Sequence, residues 1–144
     1  MFGGRLKEVD YNDDISVMNG KNAEMIKARI PIEPPLKADG SKMTVEEFDK
    51  GVIEVAKSFG NNQKIKYFLS PISELQGNCN TSTSTILHKA GVSDEHIKEI
   101  GKQLPGLANG FGSYRPWTSD EQRKAVDAAN QINQNFWSNW HLIK

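Results

Sequence analysis

The chain has 144 residues, which on a scale of about 150 residues per domain makes one domain with no length left for a second core. Lysine plus arginine and aspartate plus glutamate number 18 each, so the formal charge is zero and no broad basic field exists to hold nucleic-acid backbones. The single cysteine, Cys79, excludes an internal disulfide and any paired-cysteine site for zinc or redox exchange. No run approaches the ~18 apolar residues of a membrane span. The N-terminus MFGGRLKEVD lacks the apolar core of a signal peptide, so the chain is expected to be cytoplasmic when produced, or exported by a route that reads no such signal.

In chain order, residues 1–35 alternate rather than repeat at helical spacing. Arg5-Leu6-Lys7-Glu8-Val9 and Met25-Ile26-Lys27-Ala28-Arg29-Ile30-Pro31-Ile32 read as short strands, with Asn12-Asp13-Asp14 and Asn19-Gly20 as turns. Pro31, Pro34 and Pro35 stop the last strand, since proline donates no ladder hydrogen bond. Tyr11-Asn12-Asp13-Asp14 has the acid density of a calcium loop without its spaced oxygens and late Glu, and reads as a solvated turn. Thr44 and Glu47 form a capping box, and Phe48, Val52, Val55, Ala56 and Phe59 then fall at helical spacing until Gly60, which predicts an amphipathic helix over 45–59. Residues 65–69 are a short strand or an extended packing segment.

Asn78 caps a helix over about 80–90, with Ile86, Leu87 and Ala90 as its apolar side and Gly91 as its stop, although the Ser/Thr run is poor helix material. Ser93 caps a shorter helix over 94–103. The loop Leu107–Trp117, rich in glycine and aromatics, is a surface excursion or the rim of a site. Thr118 and Glu121 make a second capping box, opening a helix over 119–138 whose stripe is Ala125, Ala129, Ile132, Phe136 and Trp140. These elements give an α+β fold: a small antiparallel sheet packed on a central Cys-bearing helix with flanking helices, and Phe48, Val52, Ile86, Leu87, Ile132 and Phe136 in the core.

Cys79 stands where a Gly-Asn turn meets a helix N-terminus. Unpaired N–H groups and the positive end of the helix dipole there stabilise a thiolate, and the same donors can meet the oxyanion that forms when a thiolate attacks a carbonyl. The other reading of a lone cysteine is a small buried hydrophobe.

Gly77-Asn78-Cys79-Asn80-Thr81, with Ile86-Leu87 and Ala90-Gly91-Val92, resembles the nucleophile helix of circularly permuted papain-like cysteine hydrolases, relatives of NlpC-type peptidases and lecithin:retinol acyltransferases. The pattern is most similar to the modules found at the C-termini of RHS-type and other polymorphic bacterial toxins. The resemblance spans residues 20–92: a strand, a proline break at Pro34-Pro35, an amphipathic helix and the Asn-Cys-Asn helix. It implies a papain-like (permuted) fold, Cys79 as nucleophile of a hydrolase or acyltransferase on an amide or ester, and Asn78 and Asn80 as oxyanion or positioning residues. It also implies an effector delivered without a signal peptide, a peptide, peptidoglycan or lipid substrate, and an immunity protein as possible partner. No cofactor or metal is expected.

The departure from that family is its histidine, which lies on a strand before the nucleophile helix, whereas no histidine here precedes Cys79. His88, nine residues on in the same helix, lies ~13 Å away along its axis and cannot be the base. His96 belongs to the first turn of the next helix. Either a His-bearing strand precedes Met1 in a longer parent, or the chain folds so that His141 approaches Cys79. A chain without its base would be a catalytically incomplete fragment acting as an interaction module.

Overall fold

In the computed structural model, which describes residues 4–5, 30–59, 64–104 and 108–142, each helix starts where a side chain takes up N–H groups that the first turn leaves without partners. Helix α1 (Val45–Lys57) begins with the expected reciprocal pair: Thr44 Oγ1 accepts from the Glu47 N–H at 3.1 Å and Glu47 Oε2 from the Thr44 N–H at 2.9 Å. Helix α2 (Cys79–Lys89) uses Asn78 and Thr81 in the same way, at 3.0 and 2.9 Å. Ser93 caps α3 (Asp94–Gln103), and Thr118 with Glu121 caps α4 (Ser119–Asn139). Gly91, at φ +98°, reverses the chain between α2 and α3. The N–H groups of Gly91 and Val92 return to the carbonyls of His88 and Leu87 at 3.0 Å each, the double closure that a glycine after a helix permits.

The sheet is small and mixed. Strands β1 (Gly4–Arg5), β2 (Lys66–Tyr67) and β3 (Gln76–Gly77) lie in the order β1-β2-β3; β1 runs antiparallel to β2, but β2 and β3 are parallel. That parallel pair corrects the antiparallel sheet expected from sequence. The chain leaves β2, bends past Pro71, and turns at Ser73–Gln76, where the Gln76 N–H reaches Ser73 O at 3.0 Å, so it re-enters the sheet in its original direction. Lys66 N–H to Leu75 O (2.8 Å) and Phe68 N–H to Gly77 O (2.9 Å) close the ladder.

Of the strand expected over residues 25–32, the described part, Ile30–Ile32, forms no ladder. Ile30 and Ile32 instead pack half-buried against the core. The alternation over 6–9, the 11–14 turn and the rest of that N-terminal strand lie outside the described residues.

Two apolar clusters hold the elements together. Phe48, Leu87, Val92, Ile97 and Ile100 join α1, α2 and α3. Phe59, Ile65 and Trp117 form the second, with Val55 and Ile86 beside them. The Trp117 indole N–H donates to Val55 O at 2.6 Å and the ring lies 4.5 Å from Phe59.

Helix α4 departs from expectation. Ile132 (71 % exposed) and Phe136 (47 %) are at the surface rather than in the core. The helix is anchored through its first turn, by Gln122, which accepts from Lys64 N–H (3.0 Å) and donates to Trp117 O (3.0 Å), and by Glu121 with Lys89 at 2.6 Å. Beyond that turn no described helix or strand packs against it except the 3-10 turn Trp140–Leu142. Its apolar stripe therefore faces no described helix or strand, and its rings gather on one another, Phe136 lying 5.4 Å from Trp137 and 5.6 Å from Trp140. No helix among the described residues is long and apolar enough to cross a membrane.

Candidate active site around Cys79

Cys79 is the first residue of α2, and its thiol is exposed. Burial is thus not what this side chain is for. Its setting is built by Asn78, which is almost fully buried. The Asn78 carboxamide oxygen caps the Thr81 N–H, while its Nδ2 donates to Leu69 O at 3.0 Å and Asn109 O at 2.9 Å. Asn80 Nδ2 reaches the same Asn109 carbonyl at 3.2 Å. Both Asn78 Nδ2 donors are therefore spent on holding loops, while Asn80 Nδ2 gives one hydrogen bond to the same loop. Of the oxyanion or positioning role expected of the two asparagines, these contacts are of the positioning kind, supporting the turn that presents Cys79.

The cap leaves free donors of another kind. Because Asn78 and Thr81 satisfy each other, the N–H groups of Cys79 and Asn80 have no acceptor among the described residues. Two backbone donors and a thiol thus share the exposed first turn of one helix, at the positive end of its dipole.

The Ser/Thr run explains why this helix forms despite its propensities. Thr83, Ser84 and Thr85 each donate a hydroxyl to the carbonyl four residues back, at 2.8, 2.7 and 2.6 Å, which satisfies groups that would otherwise compete for backbone partners. Ser84 Oγ and Thr85 Oγ1 then accept from the N–H groups of Gly112 (2.8 Å) and Arg115 (2.9 Å). Arg115 is mostly buried; its Nε donates to Gln76 O and its Nη1 to Tyr114 O. The loop, expected from sequence to be a surface excursion or the rim of a site, is stitched along α2. At 100° per residue, Thr81, Ser84 and Thr85 lie roughly 140–240° round the helix from Cys79, so the thiol is on the side opposite the row that this loop covers.

No protein-family model, curated protein or solved structure matches the chain. The chemistry has therefore to be read from these side chains alone.

The histidines are placed elsewhere. His88 sits in the last turn of α2, its Nδ1 3.0 Å from Asp94 Oδ1 and its ring stacked 4.1 Å from Tyr114 at 16°. Tyr114 OH donates to the same Asp94 oxygen at 2.7 Å. Burial, then the hydrogen bond and charge of Asp94, push the Tyr114 phenol up to about 12. His96 is in the first turn of α3, its N–H capped by Ser93 Oγ at 3.2 Å. His141 lies in the 3-10 turn beyond α4, against which no described element but α4 packs, and α4's 21 residues carry it about 31 Å beyond the anchored end. The structure brings none of these three positions against the first turn of α2. Among the described residues no group of three His, Cys, Asp or Glu side chains converges as a metal site would require.

The His88–Asp94–Tyr114 cluster was not foreseen. His88 and Asp94 face each other across the turn at Gly91, but Tyr114 lies 20 residues beyond Asp94; the one local clue to it was the glycine pair around Phe111, where Gly110 and Gly112 adopt φ +84° and +83° and turn the loop back onto α2.

Proposed function

We propose that the chain presents Cys79 as the nucleophile of acyl transfer from an amide or ester. The sulfur adds to the carbonyl carbon, the oxyanion faces the N–H groups of Cys79 and Asn80, and the bond to the leaving group breaks to give a thioester. Water or an acceptor nucleophile then releases the acyl group. The observation that carries this reading is the exposed thiol beside two backbone donors with no acceptor among the described residues. The general base is not His88, whose ring is held against Asp94 and Tyr114 in the last turn of α2; it comes from outside that helix. In this reading the fold is a permuted papain-like one and the chain an effector module. It is made in the cytoplasm and delivered without a signal peptide, with a peptide, peptidoglycan or lipid acyl group as substrate.

Without a positioned base, proton transfer worth about 10²- to 10⁴-fold is missing, so acylation should outrun turnover. Incubation with p-nitrophenyl acetate is expected to leave one acetyl group on Cys79 by intact mass and peptide mapping, with added imidazole raising turnover above the protein-free imidazole rate in the parent chain but not in Cys79→Ala. Acetylation that is absent, or that persists unchanged in Cys79→Ala, would overturn the reading. The second reading, a non-catalytic module that binds an immunity protein or a partner chain, would then stand. It is favoured by the placement of His88 and His96 away from the thiol.

A further inference from the structure

A groove of about 590 Å³ runs between α3 and the loop 108–114, within the ~300–1,000 Å³ of small-molecule sites. It lies apart from Cys79, and nothing in the proposed acyl transfer uses it. Its floor is apolar: Ile97, Ala108 and Phe111, with the Tyr114 ring at one end. Gly101 makes the floor possible. A Cβ at that position would come within 3.2 Å of the Phe111 ring, so any larger residue there would lift Phe111 into the groove.

The charges along the groove are unequal in what they lack. Asp94 already receives the Tyr114 hydroxyl and faces His88 Nδ1. Lys98 has no ion-pair partner among the described residues, and Lys102, one turn further, is held only by exposed Glu99, a contact of little net strength. The two lysines stand one turn apart on one helix face, about 6 Å along its axis, at the end away from Asp94. What the groove lacks is an anion at its lysine end and an apolar body over Phe111.

We propose that this groove binds a small organic carboxylate with an aromatic or branched apolar body, its acid at Lys98 and Lys102 and its body over Ala108 and Phe111, against the Tyr114 ring. The ligand chemistry is met equally by a free acid and by the C-terminal residue of a peptide.

The test is a titration of the full chain with 3-phenylpropionate, followed by NMR. Saturable shifts are expected at the Gly101 and Gly112 amides and the Ile97 methyls, with a Kd of the order of 1 mM for a ligand of this size. 3-Phenylpropanamide should bind about tenfold more weakly, since it lacks the charge-assisted contacts. The double charge reversal Lys98→Glu, Lys102→Glu, at exposed positions and with an unchanged circular dichroism spectrum, should abolish the shifts, and Gly101→Leu should block them. A peptide ending in phenylalanine that matches the free acid would identify a chain terminus as the ligand; a peptide that fails while the acid binds would identify a free small molecule. Absence of saturation by about 20 mM, equal binding of acid and amide, or shifts confined to Phe136, Trp137 and Trp140 would overturn the proposal.

Discussion

Gln122 is fully buried and makes two hydrogen bonds, one to each of two segments that α4 must hold, at Lys64 and Trp117. Truncation strands both backbone partners, so Gln122→Ala is expected to cost about 3 kcal/mol, at 1–3 kcal/mol for each buried group left unpaired. Urea denaturation measures it. Glycine offers a cleaner contrast. Gly40 and Gly110 share a left-handed φ, +82° and +84°, but a Cβ at Gly40 meets nothing within 4 Å, whereas at Gly110 it would lie 2.7 Å from Thr81 Cγ2 and 3.0 Å from Pro71 Cγ. Gly40→Ala should therefore lose about 1 kcal/mol from backbone conformation alone. Gly110→Ala should lose clearly more, because Thr81 sits in the cap that sets up Cys79. Equal losses would mean that the loop gives way without disturbing α2. Tyr114 adds a pH dependence. Its phenol ionises near 12 in the folded chain and near 10 when unfolded, so its contribution is complete below about pH 10 and is lost as pH rises towards 12. Stability measured against pH should fall over that window in the parent chain and less so in Tyr114→Phe.

At the scale of elements, what sequence revealed was what is local. The boxes Thr44–Glu47 and Thr118–Glu121 are contacts across three residues, and both helices start where those residues put them. The two-residue strands had no room to show alternation, so β3 left no trace in the sequence and the direction of the β2–β3 pair, fixed by a turn at Ser73–Gln76, could not be read. The stripe Ile132–Phe136–Trp140 correctly marks an amphipathic helix, but periodicity says nothing of whether a surface exists to receive it. The candidate site divides in the same way: the helix N-terminus under Cys79 was legible, while the spending of Asn78 and Asn80 on Asn109 depends on a loop about thirty residues away. The uneven anchoring of α4 has a measurable consequence. A helical segment without packing partners opens readily. Amides of residues 131–139 should thus exchange with deuterium well before those of 122–127, by mass spectrometry of short peptides. Glu121 supplies a second check. Burial opposes its ionisation, but hydrogen bonds from Lys89, Thr118 and Trp117 outweigh this and hold its carboxyl below the usual range. Its contribution is therefore present above pH ~4.5 and fades as pH falls further, and Glu121→Gln should flatten that part of the stability profile.

Across the molecule, α2, like α1, belongs to both apolar clusters, Leu87 lying in one and Ile86 against the other, and its Ser/Thr row also clamps the loop at Gly112 and Arg115. A thiol at the end of so many-sided a support is held in place by packing and not by its own contacts, which is what a positioned nucleophile requires. The most direct measurement is the rate at which iodoacetamide alkylates Cys79 near neutral pH, in the folded chain and in the same chain unfolded by urea. The two backbone donors beside the exposed sulfur at the head of α2 should hold the reagent's carbonyl oxygen next to it, so the folded chain is predicted to label faster than the unfolded one. Equal or slower labelling of the folded chain would contradict the assignment of Cys79 as a nucleophile.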